Sequence, residues 1–136
     1  MDWTIMMTRS TQILLVALAL AVPAAALAAP PHAHAHDHRP LHGGVVVEVR
    51  DVDYELVASK DELRMFLRDH GKPMDVGQVS ARLTLLTGTE RQDVSLLPAG
   101  THLEARGSFR IGKGTKVVAA VSRHGKTLGT VRFDLP

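Results

Sequence analysis

The sequence predicts an all-β fold, an antiparallel sandwich of about seven strands, and three observations carry that expectation. From Gly44 onward the chain is a series of short runs in which apolar and polar residues alternate, the period of a half-buried strand. The runs are separated by glycine-bearing turns at Thr87-Gly88-Thr89, Pro98-Ala99-Gly100 and Arg123-His124-Gly125-Lys126. A body spanning residues 42–136 buries one core and no more, and with no cysteine in the chain it holds together by packing alone. Strands at this spacing are the pattern of an immunoglobulin-like sandwich.

Residues 1–28 read as a cleaved export signal. Arg9 supplies the positive end, Ile13 to Val22 is an apolar run closed by Pro23, and Ala26-Leu27-Ala28 is a small-residue cleavage site. That run is too short for a bilayer, which needs about 20 residues. A retained anchor is the alternative if residues 24–29 join it. Residues 29–41 read as a flexible His-rich tail, ended by Arg39-Pro40. The domain proper is expected over 42–136.

Within it, Val45 to Val49 is β-branched, and Val52, Tyr54 and Leu56 share one face while Asp53 and Glu55 take the other. Val79, Ala81, Leu83 and Leu85 alternate against Ser80, Arg82 and Thr84; Val94 to Leu96 follows the Gly88 turn. Pro98-Ala99-Gly100 is expected to break the chain before Leu103, Ala105 and Phe109. Lys116 to Ser122 is a further strand, and Gly129, Val131, Phe133 and Leu135 alternate to the end. One segment reads two ways. Ser59-Lys60-Asp61-Glu62 has the form of a helix capping box, with Leu63, Phe66 and Leu67 at helical spacing. Leu63, Met65 and Leu67 also alternate against Glu62, Arg64 and Arg68, the form of a strand after a hairpin turn.

The chemistry concentrates ahead of the domain. Five of the 8 histidines fall in residues 32–42. In an extended backbone His32, His34, His36 and His38 point to one side, about 7 Å apart, and a soft bend brings two or three onto one ion. Neutral imidazole is the commonest ligand for zinc, copper(II) and nickel. The candidate metal ligands are therefore His32, His34, His36, His38 and His42, for a divalent transition metal (Zn, Cu, Ni or Co). Ordering a loose backbone costs about 1–2 kcal/mol per residue, so such a tail binds modestly and without fine selectivity. Binding fades below about pH 6, where imidazoles take up protons. The competing reading is a soluble spacer.

Other residue types exclude more than they suggest. Without cysteine there is no disulfide, thiolate site, thiol nucleophile or lipidated N-terminal cysteine. The net charge of +2 is spread, with no basic stripe for nucleic acid. No HExxH, phosphate loop or nucleophile elbow is present, so the chain is not expected to be an enzyme. Asp51, Asp53 and Glu55 read as a solvated strand face. Met65 reads as core, Met74 as packing under a loop, and His70, His102 and His124 as solvated turn residues.

Three segments together resemble a known periplasmic module: His42-Gly43-Gly44, then Tyr54-Glu55-Leu56-Val57, then Asp69-His70-Gly71-Lys72-Pro73. A final Gly125-Lys126 followed by Arg132-Phe133 completes the pattern. These are similar to the small β-rich domains found alone or attached to the adaptor subunits of heavy-metal (cobalt–zinc–cadmium and copper) efflux systems. The resemblance covers residues 42–135. It implies that Glu62 to Arg68 is a strand, that the protein works in the periplasm, and that an efflux adaptor or pump subunit is its partner. The expected function is a periplasmic metal-binding accessory of heavy-metal efflux or homeostasis, without stable membrane insertion after signal cleavage. The alternative is a non-enzymatic protein–protein interaction module with the tail as a spacer.

Overall fold

The computed structural model describes residues 37–136. The expected leader and His32, His34 and His36 lie outside the described residues. Nine strands form, and no helix occurs among the described residues: β1 (Val45–Val49), β2 (Val52–Ala58), β3 (Glu62–Asp69), β4 (Lys72–Pro73), β5 (Val79–Thr87), β6 (Glu90–Ala99), β7 (His102–Arg106), β8 (Lys116–Arg123) and β9 (Lys126–Asp134). All pairings are antiparallel, in the order β1-β2-β3-β7-β6-β5-β8-β9, with β4 added beside β3. The long-range pairings β3–β7 and β5–β8 place β2-β3-β7-β6 in one layer and β5-β8-β9 in the other, an immunoglobulin-like order. The two-residue β4 is an addition to the expected set, whereas β1 spans the β-branched run Val45–Val49 as expected.

β6 belongs to both layers. Glu90 to Leu96 pair with β5, and Leu97 to Ala99 pair with β7. Pro98 therefore lies inside a strand rather than breaking the chain, at the stretch where β6 has already changed partners. The side chains between the layers are those the alternation selects. Tyr54, Leu63, Met65, Leu83, Leu96, Leu103, Ala119 and Val121 are fully buried. Each large one contributes about 1.5–3 kcal/mol of hydrophobic stabilisation.

The two-way segment is strand. Leu63, Met65 and Leu67 face the core, and Ala58 pairs with Leu63 across a short turn. The Glu62 amide donates to Ser59 Oγ at 3.1 Å. That is the local bond a capping box makes, used here to close a β-turn. Cross-strand pairing with β2 and β7 then decides the backbone, as tertiary context overrides local pattern.

Tight turns follow the sequence. The β8–β9 hairpin holds His124 and Gly125 at φ 50° and 74°, and Gly88 in the β5–β6 turn has φ 61°. Less expected is the β1–β2 turn, where Arg50 and Asp51 both adopt left-handed φ, 53° and 64°. The Asp51 carbonyl there accepts from the His70 amide at 3.0 Å, tying that turn to the one after β3.

Candidate metal centre

β1, β2 and β3 stand side by side, so their outward residues form rows across the sheet. Glu48 pairs with Asp53, and Asp53 with Arg68, which makes one row of two carboxylates and a guanidinium. The next row is Val46, Glu55 and Phe66. Outward charges on a strand are ordinarily solvated. Here Asp53 is 2% exposed and Glu55 is 1% exposed, because the segment 37–44 lies across them as a strap. The solvated face expected for Asp53 and Glu55 is thus corrected: both are buried, Glu55 with both oxygens bonded by the strap and Asp53 with Oδ1 alone bonded by it.

His38 closes the first row. Its Nδ1 lies 2.6 Å from Asp53 Oδ1 and its Nε2 lies 3.3 Å from Glu48 Oε2. The bond with Asp53 raises the His38 pKa above its ordinary value, against the opposing effect of desolvation, and the charges of Asp53 and Glu48 add to the rise. Behind them, Arg68 Nη2 sits 3.4 Å from Asp53 Oδ2 and donates to the Arg39 carbonyl at 2.9 Å. Asp37 pairs with Arg39 at the outer edge of the strap.

Glu55 explains the His-Gly-Gly run. Its Oε1 accepts from the amides of His42 at 2.7 Å and Gly44 at 3.1 Å, and its Oε2 from the Leu41 amide at 3.0 Å, with His42 Nδ1 at 3.0 Å. Burial pushes the Glu55 carboxyl up, but the bonds from His42 and the three amides more than offset this and hold it below the usual value. Gly43 supplies a φ of 77°. Gly44 permits the approach itself: a Cβ there would meet the Leu56 carbonyl oxygen at 2.4 Å. The His42 ring stacks on Phe66, with centroids 3.5 Å apart and planes 4° from parallel. His102 leans on the same Phe66 at 4.9 Å, and its side chain is 20% exposed, so it is a wall of this cluster and not a solvated turn residue.

Of the predicted ligands, His38 and His42 fall within the described residues, and the structure separates them. His38 joins Glu48 and Asp53 in a group whose ligand atoms all lie within 4.8 Å of one another, the one such group of three among the described residues. His42 is not in it; its Nδ1 is committed to Glu55. A tetrahedral ion with bonds of about 2.1 Å holds its ligands about 3.4 Å apart, so the group needs to contract by at most about 1.4 Å. Glu48, whose side chain is 41% exposed, has room to move. The donor set of one imidazole and two carboxylates suits zinc and its neighbours and leaves positions open for water or a further imidazole. Sequence reasoning missed Glu48, Asp53 and Arg68. The available signal was charge complementarity between a run of histidines and acids alternating on the second strand. Met65 lies in the core at 0% exposure and Met74 packs against it, so neither offers an accessible thioether. His70 and His124 sit on exposed turns.

No family model and no curated protein matches the chain. Among solved structures, a chain described as the Br derivative of BhCBM56 is similar over 67% of this chain and 99% of its own length, with 8% identity and a TM-score of 0.40. At that level the likeness carries no argument about function.

Proposed function

We propose that the protein is an exported metal-binding accessory of heavy-metal efflux or homeostasis, working in the periplasm. In this reading residues 32–38 gather a divalent ion (zinc, copper(II), nickel or cobalt) through imidazole nitrogen. The last histidine of the tract holds it against the β-body. One observation carries the proposal: His38 is seated between the carboxylates of Asp53 and Glu48, 2.6 Å and 3.3 Å from them. A tract that is only a spacer has no need of two carboxylates converging on its final imidazole. The export-type leader and the resemblance of residues 42–135 to efflux-associated domains support the same reading. An efflux adaptor or pump subunit is then the expected recipient, taking the ion by ligand exchange from a site with open positions.

Zinc calorimetry on the whole chain tests this. Replacing His32, His34 and His36 with Ala is expected to reduce the stoichiometry and leave one site. Adding His38→Ala is expected to abolish that site. Equal heats from all three proteins, or none from any, would remove the tract from the account.

A second reading, an interaction module, is favoured by one feature. The outer face of β5, β8 and β9 carries a groove of about 610 Å³, with Leu86 and Val118 at its floor 42% and 36% exposed. Arg91, Lys116 and Arg132 flank it. Binding to an efflux adaptor that survives chelation and is lost on Val118→Asp would support that role.

A further inference from the structure

We propose that Arg68 is the built-in counter-ion of the His38–Glu48–Asp53 site, and that it lowers the site's affinity for divalent cations so that only those that also bond imidazole nitrogen are held. The inference rests on the metal-binding reading above and concerns the affinity of that same centre.

Arg68 is 6% exposed, and a buried guanidinium needs a compensating charge. The carboxylate that supplies it is Asp53, at 3.4 Å. That distance is well beyond the 2.7–2.9 Å or so of a charge-assisted bond, and Asp53 Oδ2 is buried with no hydrogen-bond partner. The firm anchor of Arg68 is elsewhere, on the Arg39 carbonyl at 2.9 Å. The guanidinium therefore lends its charge to the site without occupying the lone pairs of Asp53 Oδ2. A buried carboxylate oxygen with acceptor capacity is left on the same residue whose Oδ1 meets His38.

The consequence is electrostatic. Asp53 and Glu48 alone present two negative charges to an incoming ion; with Arg68 in place the net is one. That cancels part of the Coulomb attraction for any divalent cation. Hard ions such as calcium and magnesium bind through charge and oxygen alone, and so have nothing else to hold them. Zinc, copper(II), nickel and cobalt retain the bond to the His38 nitrogen, which does not depend on the net field. Arg68 thus lowers the affinity for all divalent ions alike and leaves only the metals that bond imidazole tight enough to be held.

The test is titration of the whole chain carrying His32→Ala, His34→Ala and His36→Ala, with zinc and separately with calcium, in parent, Arg68→Gln and Arg68→Lys forms. Removing the charge is expected to tighten zinc at least about tenfold and calcium by a similar factor, bringing calcium into the measurable range. Arg68→Lys keeps the charge and is expected to match the parent. A merely structural role, pinning the strap through Arg39, predicts the reverse: Arg68→Gln would loosen zinc binding. Zinc binding by the parent that is unchanged or weakened in Arg68→Gln overturns the inference and leaves the metal reading standing. Absence of zinc binding in every form overturns the metal reading itself. Arg68→Met, which retains the apolar stem, carries the same comparison if the Gln variant fails to melt cooperatively.

Discussion

Glu55→Gln tests how the strap is held. Four N–H groups converge on this carboxylate, two on each oxygen, at 2.7–3.1 Å. Glutamine has the same shape but one acceptor oxygen. Placed at the Oε1 position, that oxygen keeps the amides of His42 and Gly44, and its NH2 then faces the Leu41 amide, donor against donor. The imidazole of His42 can adapt by changing tautomer; a backbone N–H cannot. Flipping the glutamine sets its NH2 against two amides and is worse. One buried donor without an acceptor costs about 1–3 kcal/mol, and replacing a charged acceptor by a neutral one in the retained bonds adds about 1 kcal/mol. The strap can escape part of this by lifting into water, so the net is about 3 kcal/mol, or a fall in Tm of about 15 °C for a domain of this size. Thermal melts at pH 7 and amide exchange at Leu41, His42 and Gly44 report it directly. The acid limb of stability changes too. A carboxyl whose pKa is lowered on folding contributes its full stability above the unfolded value, near 4.5, and loses it as pH falls through the folded value. That component is absent in Glu55→Gln. A variant melting within about 2 °C of the parent, with those three amides still protected, would refute the reasoning.

Three further outcomes follow from the same geometry. Gly44→Ala drives a Cβ into the Leu56 carbonyl at 2.4 Å; neither backbone can yield, so the strap is expected to undock and destabilisation to reach several kcal/mol in urea unfolding. Tyr54→Phe removes a hydroxyl that is buried and lacks a hydrogen-bond partner; it is expected to be neutral or to stabilise by up to about 1 kcal/mol, in contrast to most core changes. His38 is expected to titrate above its ordinary 6.5 by NMR and to return towards it in Asp53→Asn. Because its pKa is raised on folding, its contribution to strap docking is full below 6.5 and fades as pH rises through the folded value, whereas zinc binding runs the other way and strengthens as the proton leaves.

Much of the fold was legible because burial in a sandwich writes a period of two into the chain. The inward faces of β2, β5 and β9 are read directly from Tyr54, Leu83 and Val131, whereas β8 is apolar at every position from Val117 to Val121 and its inward face is not. β3 was ambiguous for a physical reason: Phe66 is apolar yet faces outward, which lends the segment a helical stripe. Its outward place makes sense only once His42 is seen stacked on it. Pro98 misled because a proline is a poor strand residue in isolation, and only the transfer of β6 between partners shows how it is accommodated. The site was half legible. Histidines at 38 and 42 stand out by composition, but their partners Glu48, Asp53 and Glu55 look like ordinary solvent-facing acids. Asp53 and Glu55 become buried beneath a segment whose contacting residues precede them by 11–15 positions and which crosses the sheet, a tertiary event with no local signature. Gly44 carried the clearest hint, since a second glycine beside a left-handed Gly43 marks a close backbone approach.

If the final imidazole of the tract brings a transition metal onto the carboxylates of the first sheet, copper(II) electron paramagnetic resonance of the whole chain at neutral pH will register it, read against His38→Ala and Asp53→Asn. Nitrogen couplings from imidazole are expected to diminish in His38→Ala, and the copper parameters to shift in Asp53→Asn as an oxygen ligand is lost. A spectrum without nitrogen coordination, or one indifferent to both substitutions, would contradict that placement of the metal.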